Sequence, residues 1–99
     1  MIAKLHKSRD NRIVVAVCDS ELLGKKFEEG NLQLDLTSGF FKGEEKKDAV
    51  VGDLIRNADS VNLIGEKAVN LGIQEGVIEK GHVRRIAGIP YAQAVVVRD

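Results

Sequence analysis

Several residue types are scarce in this sequence, and each shortage excludes a class of protein. The single cysteine cannot form an internal disulfide, which fits a reducing compartment, so we expect a cytoplasmic protein. No cysteine or histidine has a partner at the paired spacing of zinc sites, so we predict neither a metal nor another cofactor. Tryptophan is missing and aromatic residues make up 4% of the chain, too few for the stacking sheet of RNA-recognition domains.

Long apolar runs and an excess of one charge are also missing. The net charge is +0, from 15 basic and 15 acidic residues, which disfavours extensive contact with phosphates. No apolar run approaches the roughly 18–20 residues that span a membrane, and charged residues interrupt the first ten positions, where a signal peptide would have its apolar core.

The length of 99 residues predicts one domain, 1–99, because a second core would not fit. A domain of this size has room for a shallow cleft rather than an enclosed active site.

The hydrophobic pattern separates strands from helices along the chain. It predicts strands at 2–6, 12–18, 32–36, 83–87 and 92–97, and helices at 44–58 and 62–75. The first two strands are joined by a polar turn and are expected to form a hairpin. In the third strand, alternation places Leu32, Leu34 and Leu36 on the core side. We predict an α+β fold with a mainly antiparallel sheet covered by two adjacent helices.

The segment 62–66 is the first of two patches that join polar side chains to a glycine within an apolar run. Its structural interpretation is a helix start, in which Asn62 caps the helix and Glu66 favours the positive end of the dipole. Gly65 and Gly72 would lie on one side of this helix and indicate that a strand or a ligand approaches closely there. Its functional interpretation is a ligand pocket at the same helix end, where Glu66 would favour a hydroxyl or an amine over a phosphate.

The segment 88–93 is the second patch. Pro90 cannot donate to a sheet ladder and belongs at a strand start or edge, so the segment is expected to bend over 88–90 before the last strand. The structural interpretation is a turn in which Tyr91 covers the rim of the core. The functional interpretation places Tyr91 and Gln93 on opposite sides of a rigid bend, with the Tyr91 hydroxyl able to donate or accept a hydrogen bond.

The largest basic cluster in the sequence consists of Lys80, His82, Arg84 and Arg85. Its structural interpretation is a solvated turn and strand. Its functional interpretation is a small contact with RNA or phosphate, although the charge density is modest.

Three other features have a structural and a functional interpretation. Cys18 is expected to be a buried structural thiol, because a nucleophilic cysteine needs a nearby base and the chain has two histidines in all. Asp19 follows it and can cap a short helical turn at 21–23. Phe40 and Phe41 either anchor the core or form an exposed patch for a partner.

The order and spacing of several segments resemble an uncharacterised archaeal family, domain of unknown function 424. These segments are 16–19, 21–25, 30 with 32–35, 62–66 with 68–69, and 88–90 with 92–93, so that the resemblance covers about 1–93. It implies a small archaeal cytosolic protein with no assigned reaction or cofactor, and an expected link to translation or RNA handling. In this family a histidine often precedes the Ala-Gln pair, where this chain has Tyr91. If that histidine acts as a ligand or base in the family, this chain has either lost the role or uses the Tyr91 phenol for it.

These observations predict a binding module, without an assigned catalytic residue, for a protein or ribonucleoprotein partner. The predicted binding residues are Asn62, Gly65, Glu66, Gly88, Tyr91 and Gln93. Two alternatives remain open. A small enzyme would use Glu66 as acid or base and Tyr91 as proton donor or oxyanion stabiliser, which requires both in one cleft. A homo-oligomeric structural protein would pair its chains through 95–97 as an edge strand.

Overall fold

The computed structural model describes residues 1–97 as eight strands and two α-helices. The strands are β1 (Ile2–Lys7), β2 (Ile13–Cys18), β3 (Lys26–Glu29), β4 (Leu32–Asp35), β5 (Glu44–Glu45), β6 (Ser60–Ile64), β7 (Arg84–Ile86) and β8 (Ile89–Val95). The helices are α1 (Asp48–Arg56) and α2 (Glu66–Gln74), and short 3-10 turns lie at Ser20–Leu22 and Lys80–His82.

Six strands form one sheet in the order β5-β1-β2-β6-β8-β7, and β3 pairs with β4 as a separate hairpin. The predicted α+β class is confirmed, as is the hairpin of β1 and β2. The sheet is mixed, because β2 and β6 are parallel whereas the other pairs in it are antiparallel. A parallel pair needs a long crossover, which here contains the β3–β4 hairpin and α1.

Strand β6 occupies residues that the sequence pattern assigned to a helix. The predicted helix at 62–75 is wrong in its first four residues, because Ser60–Ile64 is a central strand and α2 starts at Glu66. Asn62 therefore does not cap a helix. In the strand, Val61 and Leu63 face one side and Asn62 faces the other. The tertiary context, with a strand on each side, overrides the local helical period.

Two further differences affect the surroundings of the sheet. The helix predicted at 44–58 is shorter, since Glu44–Glu45 pairs with β1 and α1 begins at Asp48. The polar segment before the third predicted strand is itself a strand, β3. Gly24, at a φ of 83°, donates to Leu36 O while Leu36 N donates to Lys25 O, which makes a bulge at the entry to this hairpin.

The two faces of the six-stranded sheet are buried by different elements. Val15, Val17, Val61 and Leu63 pack with residues of both helices in one apolar cluster. The opposite face is covered in part by the β3–β4 hairpin and the segment after it. The second cluster contains Ile2, Ala16, Cys18, Leu22, Leu34, Leu36, Phe41, Ile64 and Ile86. The hairpin covers this second face incompletely, and the uncovered part is the site described below.

The start of α2 is fixed by a residue from a distant strand end. The Asp19 carboxylate accepts hydrogen bonds from the backbone N–H groups of Lys67, at 3.1 Å, and Ala68, at 2.8 Å. Asp19 is 3% exposed, so these bonds satisfy two of the free donors at the helix start inside the core. The predicted role of Asp19 as side-chain cap of its own 3-10 turn is wrong, because its carboxylate caps α2 instead.

No helix among residues 1–97 combines the length and the apolar character needed to cross a membrane.

Candidate functional site

A groove of 510 Å³ lies on the face of the sheet opposite the helices, and we call it the central groove. Strand β4 runs along one side, the middles of β6 and β8 form its floor, and the Phe40–Phe41 loop contributes to its rim. The lining residues are Leu32, Gln33, Leu34, Asp35, Phe40, Phe41, Asn62, Leu63, Ile64, Ile86, Tyr91, Ala92 and Gln93. The volume is within the range of sites that bind a small molecule.

Three predicted binding residues meet on the floor of the central groove. Asn62 lies opposite Gln93 in the β6–β8 register, and the next pair on the same face is Ile64 and Tyr91. Val96 N donates to Asp59 O at 2.9 Å, and by alternation Asn62 and Gln93 form a non-hydrogen-bonded pair, in which side chains are closest. Two carboxamides and a phenol therefore lie together on the floor, whose other lining residues are apolar.

The rim of the groove has two exposed apolar side chains. Leu32 is 56% exposed, so its predicted place in the core is wrong, whereas Leu34 and Leu36 are buried as predicted. Phe40 is 39% exposed, and its ring stacks on the His6 ring with 4.5 Å between the ring centroids. The Phe40 carbonyl oxygen lies 2.8 Å from His6 Nε2. Each phenylalanine thus matches a different interpretation. Phe41 is buried and anchors the core, whereas Phe40 remains at the surface.

Strand β4 supplies polar lining residues that the sequence did not single out. Gln33 and Asp35 both line the groove. The side-chain hydroxyl and the backbone N–H of Thr37 donate to the Asp35 carboxylate, and these bonds hold the pKa of that carboxyl below its ordinary value. Since alternation predicts Leu32, Leu34 and Leu36 on the core side, it predicts Gln33 and Asp35 on the solvent side, and the sequence contains no signal that this strand borders a groove.

The other predicted binding residues lie outside the central groove. Glu66 belongs to a separate depression with Pro90, whose side chain points to the opposite sheet face from Tyr91. Arg85 Nη1 lies 3.0 Å from Glu66 Oε1 and 3.0 Å from Gly88 O. The structure thus does not bring Glu66 and Tyr91 into one cleft.

The two glycines of the predicted site shape the backbone. Gly65 is buried against the Asp19 carboxylate at the start of α2. Gly88 and Ala87 both have positive φ, 79° and 52°, and form the two-residue turn between β7 and β8. This geometry is typical of a tight hairpin. The predicted bend at 88–90 is therefore wrong, because Pro90 lies within β8, and Tyr91 and Gln93 share one face of that strand instead of lying on opposite sides of a bend.

The basic cluster does not form a single surface. Lys80 and His82 lie in a 3-10 turn, and His82 is 4.0 Å from Glu79. Arg84 and Arg85 are successive residues of the edge strand β7, so their side chains point to opposite faces. Arg84 is the member on the groove side, because it pairs with Tyr91.

The described residues contain no group of three or more histidine, cysteine, aspartate or glutamate side chains that could hold a metal ion.

Cys18 is fully buried, and burial, together with the neighbouring Asp19 carboxylate, raises the pKa of its thiol to about 11. A buried thiol with a raised pKa is protonated at neutral pH, which is typical of a structural cysteine.

We predict that Cys18 resists alkylation in the folded protein. Iodoacetamide at pH 8 should modify the thiol at least about a hundredfold more slowly than in guanidinium chloride, because the thiolate is the reactive form and the native sulfur is inaccessible. The measurement is the rate of mass increase in intact-protein mass spectrometry. Similar rates in both solutions would contradict the structural assignment of this thiol.

The same thiol gives a pH dependence of stability. Its pKa is higher in the folded than in the unfolded chain, so its stabilising effect is complete below the unfolded value, near 8.5, and is lost as the pH rises to about 11. Replacing Cys18 with alanine should therefore flatten the decline of the unfolding free energy over this pH range.

Comparisons with known proteins extend the sequence resemblance. The family model described as "Protein of unknown function (DUF424)" matches residues 6–97. No curated protein matches the chain significantly. The crystal structure of an uncharacterized conserved protein from Methanopyrus kandleri is similar, with a TM-score of 0.83 and 21% identity over 99% of this chain and 92% of the other. At this identity the likeness establishes the fold.

Proposed function

Because the chain belongs to DUF424, a family of proteins of unknown function, we propose a function from the central groove itself. The chain is a non-catalytic binding module that holds a segment of a protein partner, either free or within a ribonucleoprotein. The observation that carries this proposal is the convergence of Asn62, Tyr91 and Gln93 on one partly covered sheet face.

The chemistry of the groove favours binding over catalysis. Carboxamides offer both hydrogen-bond donors and acceptors but do not act as general acids or bases at neutral pH. Apolar lining with a few converging polar groups is the usual composition of a site that orients its ligand. Leu32 and Phe40 at the rim add exposed apolar surface, which is more typical of a contact with protein than with phosphate.

The test is affinity capture from a lysate of the host organism. The double variant Asn62→Ala with Gln93→Ala removes both floor amides and should lower partner recovery about tenfold or more, since each lost hydrogen bond costs roughly 1 kcal/mol. The matched control is Asn70→Ala with Gln74→Ala, which removes the same groups from the exposed surface of α2. The control should recover the partner like the unchanged protein.

The outcome assigns the partner class. Recovery of ribosomal proteins would support a role in translation, and recovery lost after ribonuclease treatment would indicate that RNA supplies the contact. Equal recovery by the floor variant and the unchanged protein, with both folded by circular dichroism, would refute the proposed site.

A homo-oligomeric structural protein is the second candidate, supported by the end of β8. Strand β7 pairs with Ile89–Tyr91, so the edge of β8 beyond residue 91 has no neighbouring strand among residues 1–97. Val95 is 69% exposed and Val97 is 86% exposed. Light scattering tests this function, because a mass that stays monomeric from micromolar to millimolar concentration would eliminate it.

A further inference from the structure

The backbone of β4 presents unused hydrogen-bonding groups to the central groove. Leu36 N donates to Lys25 O at 2.9 Å, so that Leu36 directs its backbone groups toward the β3 side of the hairpin. By alternation Leu34 and Leu32 do the same, while Gln33 and Asp35 direct their N–H and C=O groups to the other edge. Among residues 1–97 no strand pairs with that edge.

All four residues of β4 line the groove, so the strand borders the groove along its whole length. An edge strand with free donors and acceptors is a template for one more strand. A chain added there would lie over the floor formed by β6 and β8. One set of its alternating side chains would then face Asn62 and Gln93.

The charge of the groove selects the occupant further. Asp35 is the single lining residue that carries a charge at neutral pH. Asp35 is a half-buried residue at the end of β4, and besides Thr37, Lys26, its partner in β3, contributes to the lowered pKa of its carboxyl. A positively charged side chain of the occupant would complement it, whereas a negatively charged one would be repelled.

We propose that the central groove binds an extended segment of a partner protein, which adds to the Gln33–Asp35 edge as a third strand of the hairpin sheet and places a lysine or arginine side chain against Asp35. This inference rests on the proposed function and specifies its ligand. Main-chain hydrogen bonds to the edge would supply much of the affinity, and the groove would select alternate side chains.

The test uses the intact protein and two pools of capped synthetic hexapeptides with alternating apolar and polar residues. One pool carries lysine or arginine at a fixed position and the other carries glutamate there. Gln33→Pro removes the edge N–H without touching a bond to β3, and proline is tolerated at strand edges. This variant should retain the cationic pool about tenfold less than the unchanged protein, and less than Gln33→Ala, which loses the side chain but keeps the edge N–H. Asp35→Asn should abolish the preference between the pools.

A second measurement does not depend on the folding of the proline variant. N-methylation of alternate peptide amides should abolish binding in one register, whose N–H groups face β4, and leave it intact in the other. In the unchanged protein, the bound peptide should slow hydrogen exchange at the amides of Gln33 and Asp35.

Several results would overturn the inference. These are no retention of either pool, equal retention by Gln33→Pro and the unchanged protein, equal retention of the glutamate pool, and insensitivity to N-methylation. Self-association through this edge, or binding of RNA alone, would replace it with another occupant. If the double variant Asn62→Ala with Gln93→Ala lost binding while Gln33→Pro kept it, the groove would be supported as the binding site. The proposal that the partner adds as a strand to β4 would then be refuted by itself. If neither variant changed partner recovery, the proposed function would fail as well.

Discussion

Replacing Gly65 with alanine is expected to lower the free energy of unfolding by about 4 kcal/mol. Gly65 has a φ of 112° and a ψ of 159°, a conformation that is essentially restricted to glycine. A Cβ atom there would lie 2.6 Å and 2.7 Å from the two Asp19 carboxylate oxygens. Those oxygens cannot retreat without releasing the N–H groups of Lys67 and Ala68.

Gly76→Ala is the matched control for this prediction. Gly76 follows α2 with a φ of 77°, and a Cβ atom would meet nothing within 4 Å. The control should therefore lower the free energy of unfolding by only about 1 kcal/mol, the cost of placing alanine at a positive φ. Urea denaturation of both variants measures the difference. Equal losses would contradict the close packing of Gly65 under Asp19.

A double-mutant cycle identifies the cause of the Gly65 effect. Asp19→Ala removes the carboxylate that the new methyl group would strike, so Gly65→Ala should cost about 2 kcal/mol less in that background. Additive losses would show that the backbone conformation, rather than the contact with Asp19, sets the whole penalty.

Replacing Leu36 with alanine is expected to lower both stability and partner binding. Leu36 is 1% exposed and anchors the β3–β4 hairpin on the sheet, so its truncation should cost about 3 kcal/mol. The hairpin forms one side of the central groove. Loosening it should weaken partner capture at least about tenfold under conditions in which the protein remains folded.

Ile55→Ala separates these two effects. Ile55 is fully buried in the helix-side cluster, and its truncation should cost a similar amount of stability without moving β4. Capture is compared at a temperature where circular dichroism shows both variants to be folded. Equal capture by both would contradict the assignment of the hairpin as a wall of the binding site.

Three of the six binding residues predicted from the sequence line the central groove, and the reasons for predicting them are only partly correct. Gln93 was predictable as a polar residue within a final strand, and the register puts it in the groove. The sequence predicts Asn62 as a helix cap, whereas it lies in the middle of a strand. The alternation of Ser60, Val61, Asn62 and Leu63 carries a period-2 signal that would have found β6. The apolar residues of α2, continuing directly after it, masked this short signal.

The role of Asp19 could not be predicted, because it depends on contacts between distant segments. Local reasoning pairs a capping residue with the helix that follows it, whereas Asp19 caps a helix 48 residues further along. The close approach indicated by two glycines did occur. Gly65 meets Asp19, and Gly72 meets Leu63 of β6 and Ile78. The sequence showed that something approaches these positions but not which residue.

Glu66 and the β4 edge show the same limit at the site. The spacing between Glu66 and Tyr91 contains no information about sheet faces until the register of β8 is known, and that register places Pro90 on the Glu66 side. The placement of β4 beside β6 depends on how the hairpin packs, through Leu34 and Leu36, on the second face. The position of β4 is set by side-chain packing between distant segments, and the hydrophobic pattern of a single segment does not predict such packing.

Site-specific photo-cross-linking tests the central claim, that the groove is the binding site, most directly. A photoreactive phenylalanine analogue would replace Gln93 on the groove floor and, in a matched protein, Gln74 on the exposed surface of α2. Irradiation in a host lysate should give a discrete adduct from position 93 and none from position 74. An adduct from position 74 with none from position 93 would contradict the claim and place the partner on the helix side of the sheet.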